Sequence, residues 1–231
     1  MPRRAPPDRF QELLTAATRV FLAQGYRRTQ MSDVAAAMGV AKGTLYLYVE
    51  SKEALFDAVL RHADRAEPAA TPTELPLRTP PPEATLAYVE RRLAEDGALP
   101  RSSAALARAR VTDVRAELTE VLGELYDAMA RHRTGIALLD RCALDYPELA
   151  KLWYRGGREG ALGLLTRYLE DRTRRGRLRR FEDADVAARI ALETLVFWAV
   201  HRHWDPSPQA VDEDSARRTA LAFVTSALVE D

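Results

Sequence analysis

Two short helical patterns separated by a glycine, between residues 34 and 49, restrict this chain more than any other stretch. Val34, Ala35 and Met38 share one face at i, i+1 and i+4. Gly39 follows where a helix C-terminus favours a residue that tolerates positive φ. Val40 can plug the corner. A second helix is expected from about Lys42 to Val49, with Leu45 and Val49 inward at i, i+4. This is the outline of a helix-turn-helix. The outer faces of the second helix carry Lys42, Gly43, Thr44, Tyr46 and Tyr48. A cation, a residue permitting close backbone approach, a hydroxyl and two phenols suit phosphates and base edges.

The flanking residues support such a head. A first helix is expected from about Pro7 to Gln24, with Gly25 just past its end and Phe10, Leu13, Leu14, Ala17, Val20 and Phe21 as its buried stripe. Thr29 reads as a helix cap, beside Arg27 and Arg28. Ser51 reads as the cap of a further helix whose inner stripe is Leu55, Phe56, Val59 and Leu60. Lys52 falls in its first turn, where outward amides favour an anion. Glu50 and Glu53 sit close by and must point away from a nucleic acid or be paired. Arg3 and Arg4 belong to a terminal arm read as solvated, although a basic arm can reach DNA.

Residues 39–56, Gly-Val-Ala-Lys-Gly-Thr-Leu-Tyr-Leu-Tyr-Val-Glu-Ser-Lys-Glu-Ala-Leu-Phe, closely resemble the recognition segment of TetR-family transcriptional regulators. Residues 17–26 and Thr29 leading into Val34-Ala35 match as well, so the resemblance covers roughly the first 65 residues. It implies a DNA-binding surface made by Thr29, Met31, Val40, Ala41, Lys42, Gly43, Thr44, Tyr46, Leu47, Tyr48 and Lys52, with Lys52 meeting a phosphate. There are two departures. Ala41 stands where the family usually has Ser, which removes a capping or phosphate-binding hydroxyl. Val49 stands where the family usually has Phe, so neighbours must refill the space.

Net charge is zero over 231 residues, but residues 1–65 hold ten Arg or Lys against seven Asp or Glu. A modestly positive end on a neutral protein fits a DNA-reading head on a body with other work. The single cysteine, Cys142, fits a reducing compartment. No apolar run approaches the roughly 18–20 residues that span a bilayer, and the N-terminus lacks the apolar region of a signal peptide. A cytoplasmic protein with no membrane partner is expected. Residues 67–82 hold six prolines and read as a spacer. The expected division is therefore a DNA-binding domain over 1–66, a linker over 67–82, and a helical effector-binding and dimerisation domain over 83–231.

The body reads as helical throughout, giving an all-α chain of nine or ten helices. Expected segments are 83–95, 102–112, 114–133 and, after a break at Thr134-Gly135, a pattern through Leu144. A long helix is expected to 175, capped by Asp145 with Pro147 in its first turn, then helices over about 183–204, ending before Pro206 and Pro208, and 212–229. Gly156, Gly157, Gly160 and Gly163 lie inside the long helix. Each costs on the order of 1 kcal/mol there, so a close helix crossing or a kink beside a ligand space is expected. Ala187 to Trp204 is apolar on most sides and must be buried on most sides. By resemblance, the helices over 147–175 and 183–204 form a four-helix dimer interface, with Gly160, Gly163, Tyr168, Leu195, Phe197, Trp198 and His201 as candidates. The alternative is a central helix within one subunit.

Tyr88, Tyr126, Met129, Cys142, Trp153 and Tyr154 are the candidates for an apolar effector pocket, the competing role being plain core. The arginine-rich run over 172–180 reads as a solvated turn that offsets a helix dipole. His201 and His203 diverge on a helix, and His132 stands alone, so no metal and no cofactor are expected. No nucleophile elbow or phosphate loop appears, and no enzyme is expected. The sequence reads as a homodimeric, ligand-responsive repressor that binds a palindromic operator in double-stranded DNA and a small-molecule effector. The alternatives are an activator, or a sensor or interaction protein of the same fold that has lost specific DNA binding.

Overall fold

The structure, a computed structural model, describes residues 9–207 and 210–230. The expected arm at Arg3 and Arg4, the helix start at Pro7 and the stop at Pro208 lie outside the described residues. Twelve α-helices run through the described chain: α1 (Arg9–Gln24), α2 (Met31–Met38), α3 (Lys42–Leu45), α4 (Lys52–His62), α5 (Pro82–Asp96), α6 (Pro100–Ala107), α7 (Val114–Arg131), α8 (Arg133–Cys142), α9 (Pro147–Leu152), α10 (Glu159–Arg174), α11 (Ala184–Ala199) and α12 (Glu213–Leu228). Strand geometry is confined, among the described residues, to one bridge between Val49 and Leu77. The protein is all-α. No described helix is long and apolar enough to cross a membrane.

Local chemistry sets most boundaries. Ser51, Asp113, Asp183 and Asp212 each accept a hydrogen bond from the amide three residues on, so α4, α7, α11 and α12 start where their caps stand. Gly39 ends α2 at φ 66°, and Val40 N bonds back to Ala35 O. Two expected caps differ. Thr29 does not cap α2; Gln30 does, its amide bonded to Asp33 Oδ2 at 2.9 Å. Asp145 does not cap α9; its carboxylate accepts the amides of Tyr26 and Arg27 at 3.2 and 3.0 Å.

The expected long helix is interrupted. Residues Trp153–Arg158 form a π-helical segment between α9 and α10. It contains Gly156 and Gly157, so two of the four glycines sit where the ladder widens rather than at a close crossing. An added Cβ at Gly160 or Gly163 would meet nothing within 4 Å. The expected helix over 183–204 likewise ends early: α11 stops at Ala199, and His201–Trp204 is a 3₁₀ turn.

The chain divides into two compact units that do not follow chain order. One unites the described residues up to Arg91 with Thr134–Trp153; the other unites Arg92–Arg133 with the residues from Tyr154 onward. In the first, α1 packs on α2 and α4, and α2 on α3. Its centre is Phe10, Leu13, Phe21, Leu45, Leu55 and Phe56, all essentially without solvent exposure. In the second, α7, α11 and α12 pack mutually, α10 lies on α11, and α6 touches α7 and α10.

The body segment 134–153 thus completes the first unit. Asp64 accepts the amides of Thr134 and Gly135 at 2.9 and 3.0 Å, and Tyr146 stacks on Tyr26 with ring centroids 5.0 Å apart. The arginine run is corrected at one position. Arg172 is not solvated but fully buried in the second unit, against Glu117.

Candidate nucleic-acid interface

The exposed rim of the first unit is built by α2, the Gly39 corner and α3. The left-handed Gly39 lets the chain reverse within two residues, and Val34, Ala35 and Leu45 lock the two helices together from below. α3 is one turn long rather than reaching Val49. Beyond Leu45 the backbone tightens, with Leu47 N bonding Thr44 O and Tyr48 N bonding Leu45 O at 3.2 and 2.9 Å. The helix start has no side-chain cap, because Ala41 has no hydroxyl. Such a cap is ordinarily worth about 0.5–2 kcal/mol.

The candidate residues fall into two groups. Ala41, Lys42, Gly43, Tyr46 and Leu47 are exposed, with Val40 and Thr44 half-buried beside them. Tyr46 is 42% and Leu47 66% exposed, unusual for large apolar-bodied groups. The second group lies inward. Thr29, Met31 and Tyr48 are buried, at 1%, 7% and 6% exposure. Thr29 Oγ1 donates to Gly25 O at 2.6 Å, so its hydroxyl serves the turn after α1. Tyr48 is covered because the chain turns inward there, toward the fully buried Val49.

Lys52 is also engaged internally. Its ammonium donates to the carbonyls of Tyr26 and Arg27 at 3.0 and 3.4 Å and lies 4.6 Å from the Tyr26 ring centre. The Tyr26 hydroxyl donates to Glu53 Oε1 at 3.2 Å. Burial, then the Glu53 charge, push the Tyr26 phenol well above its usual range. Burial opposes ionisation of Glu53. Hydrogen bonds from its own amide, Ser51 and Tyr26 outweigh that and hold its carboxyl below the usual range. Glu50 accepts the amide of Thr79 at 2.9 Å. Both glutamates near the rim therefore have partners within the unit.

The pocket candidates are divided between the two units. Tyr88, Cys142 and Trp153 belong to the first unit; Tyr126, Met129 and Tyr154 belong to the second. Tyr88 stacks under the Arg61 guanidinium at 4.4 Å, and Trp153 Nε1 donates to Asp140 at 2.6 Å. Cys142 is fully buried. Tyr126 is buried with its hydroxyl on Trp198 O at 3.3 Å, while Met129 and Tyr154 are half-buried.

Two interface candidates are corrected as well. Tyr168 and Leu195 are fully buried in their own unit and leave no surface for a second chain. Phe197 is 40% exposed, and Trp198, His201 and Gly163 are half-buried. Val186, Ile190 and Phe223, which were not among the named interface candidates, are exposed at 53%, 64% and 69%. At about 100° per residue, Val186, Ile190 and Phe197 lie opposite the buried stripe Ala188, Leu192, Leu195 and Ala199. α11 thus has two apolar faces, and periodicity alone could have separated them. An open depression on the outer one is lined by Arg189, Ile190, Glu193, Thr194, Phe197 and Trp198. Among the described residues no group of three or more His, Cys, Asp or Glu is placed to hold a metal ion.

Comparison with known proteins bears on both parts of the chain. The family described as bacterial regulatory proteins, tetR family, matches residues 13–59. The family described as AefR-like transcriptional repressor, C-terminal domain, matches residues 115–226. An uncharacterised HTH-type transcriptional regulator, YhgD, of Bacillus subtilis is 44% identical over 52 residues, 22% of this chain and 27% of that protein. The HTH-type transcriptional repressor KstR2 of Rhodococcus jostii is 42% identical over 50 residues, 22% of this chain and 24% of that protein. The matched segments thus span about a quarter of these relatives. The structure of the ketosteroid transcriptional regulator KstR2 of Mycobacterium tuberculosis shares the fold, with a TM-score of 0.55 at 18% identity, covering 96% of both chains.

Proposed function

The chain belongs to the TetR family of DNA-binding transcriptional regulators, and from that premise we propose that it is a homodimeric repressor released from a palindromic operator by a small-molecule effector. The observation that carries the reading is the exposed rim of α3. Lys42, Gly43, Tyr46 and Leu47 face solvent directly above the fully buried Leu45. A rigid base beneath an exposed cation and apolar groups suits phosphate oxygens and thymine methyls in a major groove. Lys42, Gly43 and Thr44 are nearest the base edges. Residues 1–66 act as the reading head and 83–231 as the effector-binding and dimerising body.

A second copy is proposed to cover the outer face of α11. Val186, Ile190 and Phe197, with Phe223 on α12, are too large and too exposed to be left in water on an ordinary surface. The open surface at Gly160 and Gly163 belongs to the same role. Repression is supported by the repressor-type C-terminal match. Met129 and Tyr154, half-buried, are the candidates retained for effector contact. An effector that binds one of two conformers better would shift the spacing of two heads on their half-sites. A regulator of this kind acts on DNA in the cytoplasm and has no reaction to catalyse.

Binding of the full chain to the DNA flanking its own gene, against scrambled DNA over a salt series, tests the reading. Expected is specific binding that survives near ~0.15 M salt with a steep negative slope. Equally weak binding to both, vanishing with salt, would count against it.

A further inference from the structure

The proline-rich segment 67–82 is fastened to the head at both ends, which its composition does not require. Ala69 N donates to Gln11 Oε1 on α1 at 2.7 Å. Leu77 pairs in parallel with Val49: Leu77 N donates to Tyr48 O at 2.8 Å and Glu50 N donates to Leu77 O at 2.9 Å. Thr79 then adds its amide to Glu50 Oε2 at 2.9 Å and its hydroxyl to Ser51 Oγ at 2.8 Å. The partners of Leu77 and Thr79 are the residues that directly follow the exposed rim of α3. Six prolines restrict φ through the segment, so ordering it costs less backbone entropy than ordering a flexible loop.

Between the anchored Leu77 and Thr79 stands Arg78, the single cation of residues 67–82. It is exposed, and among the described residues its guanidinium has no hydrogen-bond or ion-pair partner. The anchors on either side hold its backbone in place, so the charge is presented from a fixed point on the head. The same strap donates to Glu50, a carboxylate that would otherwise face an approaching polyanion unpaired. We propose that Arg78, carried on this strap, is a DNA-phosphate contact that extends the interface beyond the helix-turn-helix. The proposal rests on the DNA-binding reading. It assigns Arg78 an affinity role and no base readout, because a guanidinium on phosphate carries no sequence information directly.

The test uses the full chain in fluorescence anisotropy with two duplexes, the region flanking its own gene and a scrambled sequence, from about 50 to 200 mM salt. Arg78→Ala is expected to weaken binding to both duplexes equally, by about three- to tenfold, and to flatten the slope of log K against log salt by about 0.9, one phosphate. Arg78→Lys should keep the parental slope. Leu77→Pro removes the N–H that holds the strap to Tyr48 and should reproduce the Arg78→Ala loss. Parental affinity and slope for Arg78→Ala, with the parent binding DNA, would overturn the proposal alone. A parent that binds neither duplex at the lowest salt would overturn the DNA-binding reading, and this proposal with it.

Discussion

The guanidinium of Arg172 and the carboxylate of Glu117 form an ion pair 2.8 Å long, with side chains 0% and 4% exposed. Tyr168 donates to the same Glu117 oxygen at 3.0 Å, and the other arms of Arg172 reach Asp171 and the carbonyl of Ala105. α6, α7 and α10 are thereby held at one buried point. Removing one member of a buried pair leaves an uncompensated charge, which costs about 3–5 kcal/mol, whereas replacing both with apolar groups is often neutral. Glu117→Ala should lower unfolding stability by about that amount in urea denaturation, and Glu117→Leu with Arg172→Met should recover most of it. Equal losses in the single and double variants would show that packing rather than charge dominates the site.

Lys42 and Tyr48 are expected to separate on DNA. Lys42→Ala should cost about 1–3 kcal/mol of discrimination against scrambled DNA if it reaches a base edge. Tyr48→Phe, at a buried position, should leave the affinity for DNA close to the parental value. Titrations on operator and scrambled duplexes check both. A large effect of Tyr48→Phe would mean that the turn after α3 opens on binding.

Cys142 should be inert in the folded protein. Burial, then the nearby Asp145 charge, push its thiol up to about 12. The raised value keeps the thiol protonated at pH 8, and only the thiolate reacts. A chromogenic thiol reagent at pH 8 should label the native chain at a small fraction of the rate seen in denaturant. Rapid native labelling would show that the α8 region opens locally.

His203 makes the second unit sensitive to mild acid. Arg133 donates to His203 Nε2 at 2.6 Å, so the ring must offer a lone pair there. Burial, then the Arg133 charge, hold its pKa below the usual histidine value. The unfolded chain then binds a proton more readily than the folded one. The contribution is fully present above the ordinary value near 6.5 and is lost as pH falls from there through the lower folded value. Thermal stability should decline over that window, and less so in His203→Gln. A parallel decline in both would assign the effect to carboxylates instead.

Ile190→Asp combined with Phe197→Asp should convert a dimer to a monomer in sedimentation experiments while leaving the helical circular dichroism unchanged. Both residues stand on the outer face of α11, away from the subunit's own core. An unchanged dimer would move the interface elsewhere.

Short-range relations in this chain were readable from its sequence. Ser51 caps α4 through a bond to a residue three positions on, and Gly39 closes α2 through bonds three to five residues long, so each signal lies inside its own window. The helical class and the helix-turn-helix followed from such windows. Relations across long separations were settled by tertiary structure. Arg172 sits in a run of arginines that reads as solvated, yet its partner Glu117 is 55 residues away. Thr29, Met31 and Tyr48 match a DNA-reading motif, but burial depends on what packs over them. Residues 67–82 look like a spacer until Leu77 pairs with Val49 and Thr79 with Ser51. A one-dimensional pattern reports which groups a helix offers to each of its faces. Which face is then covered, and by what, depends on desolvation shared among segments distant in the chain.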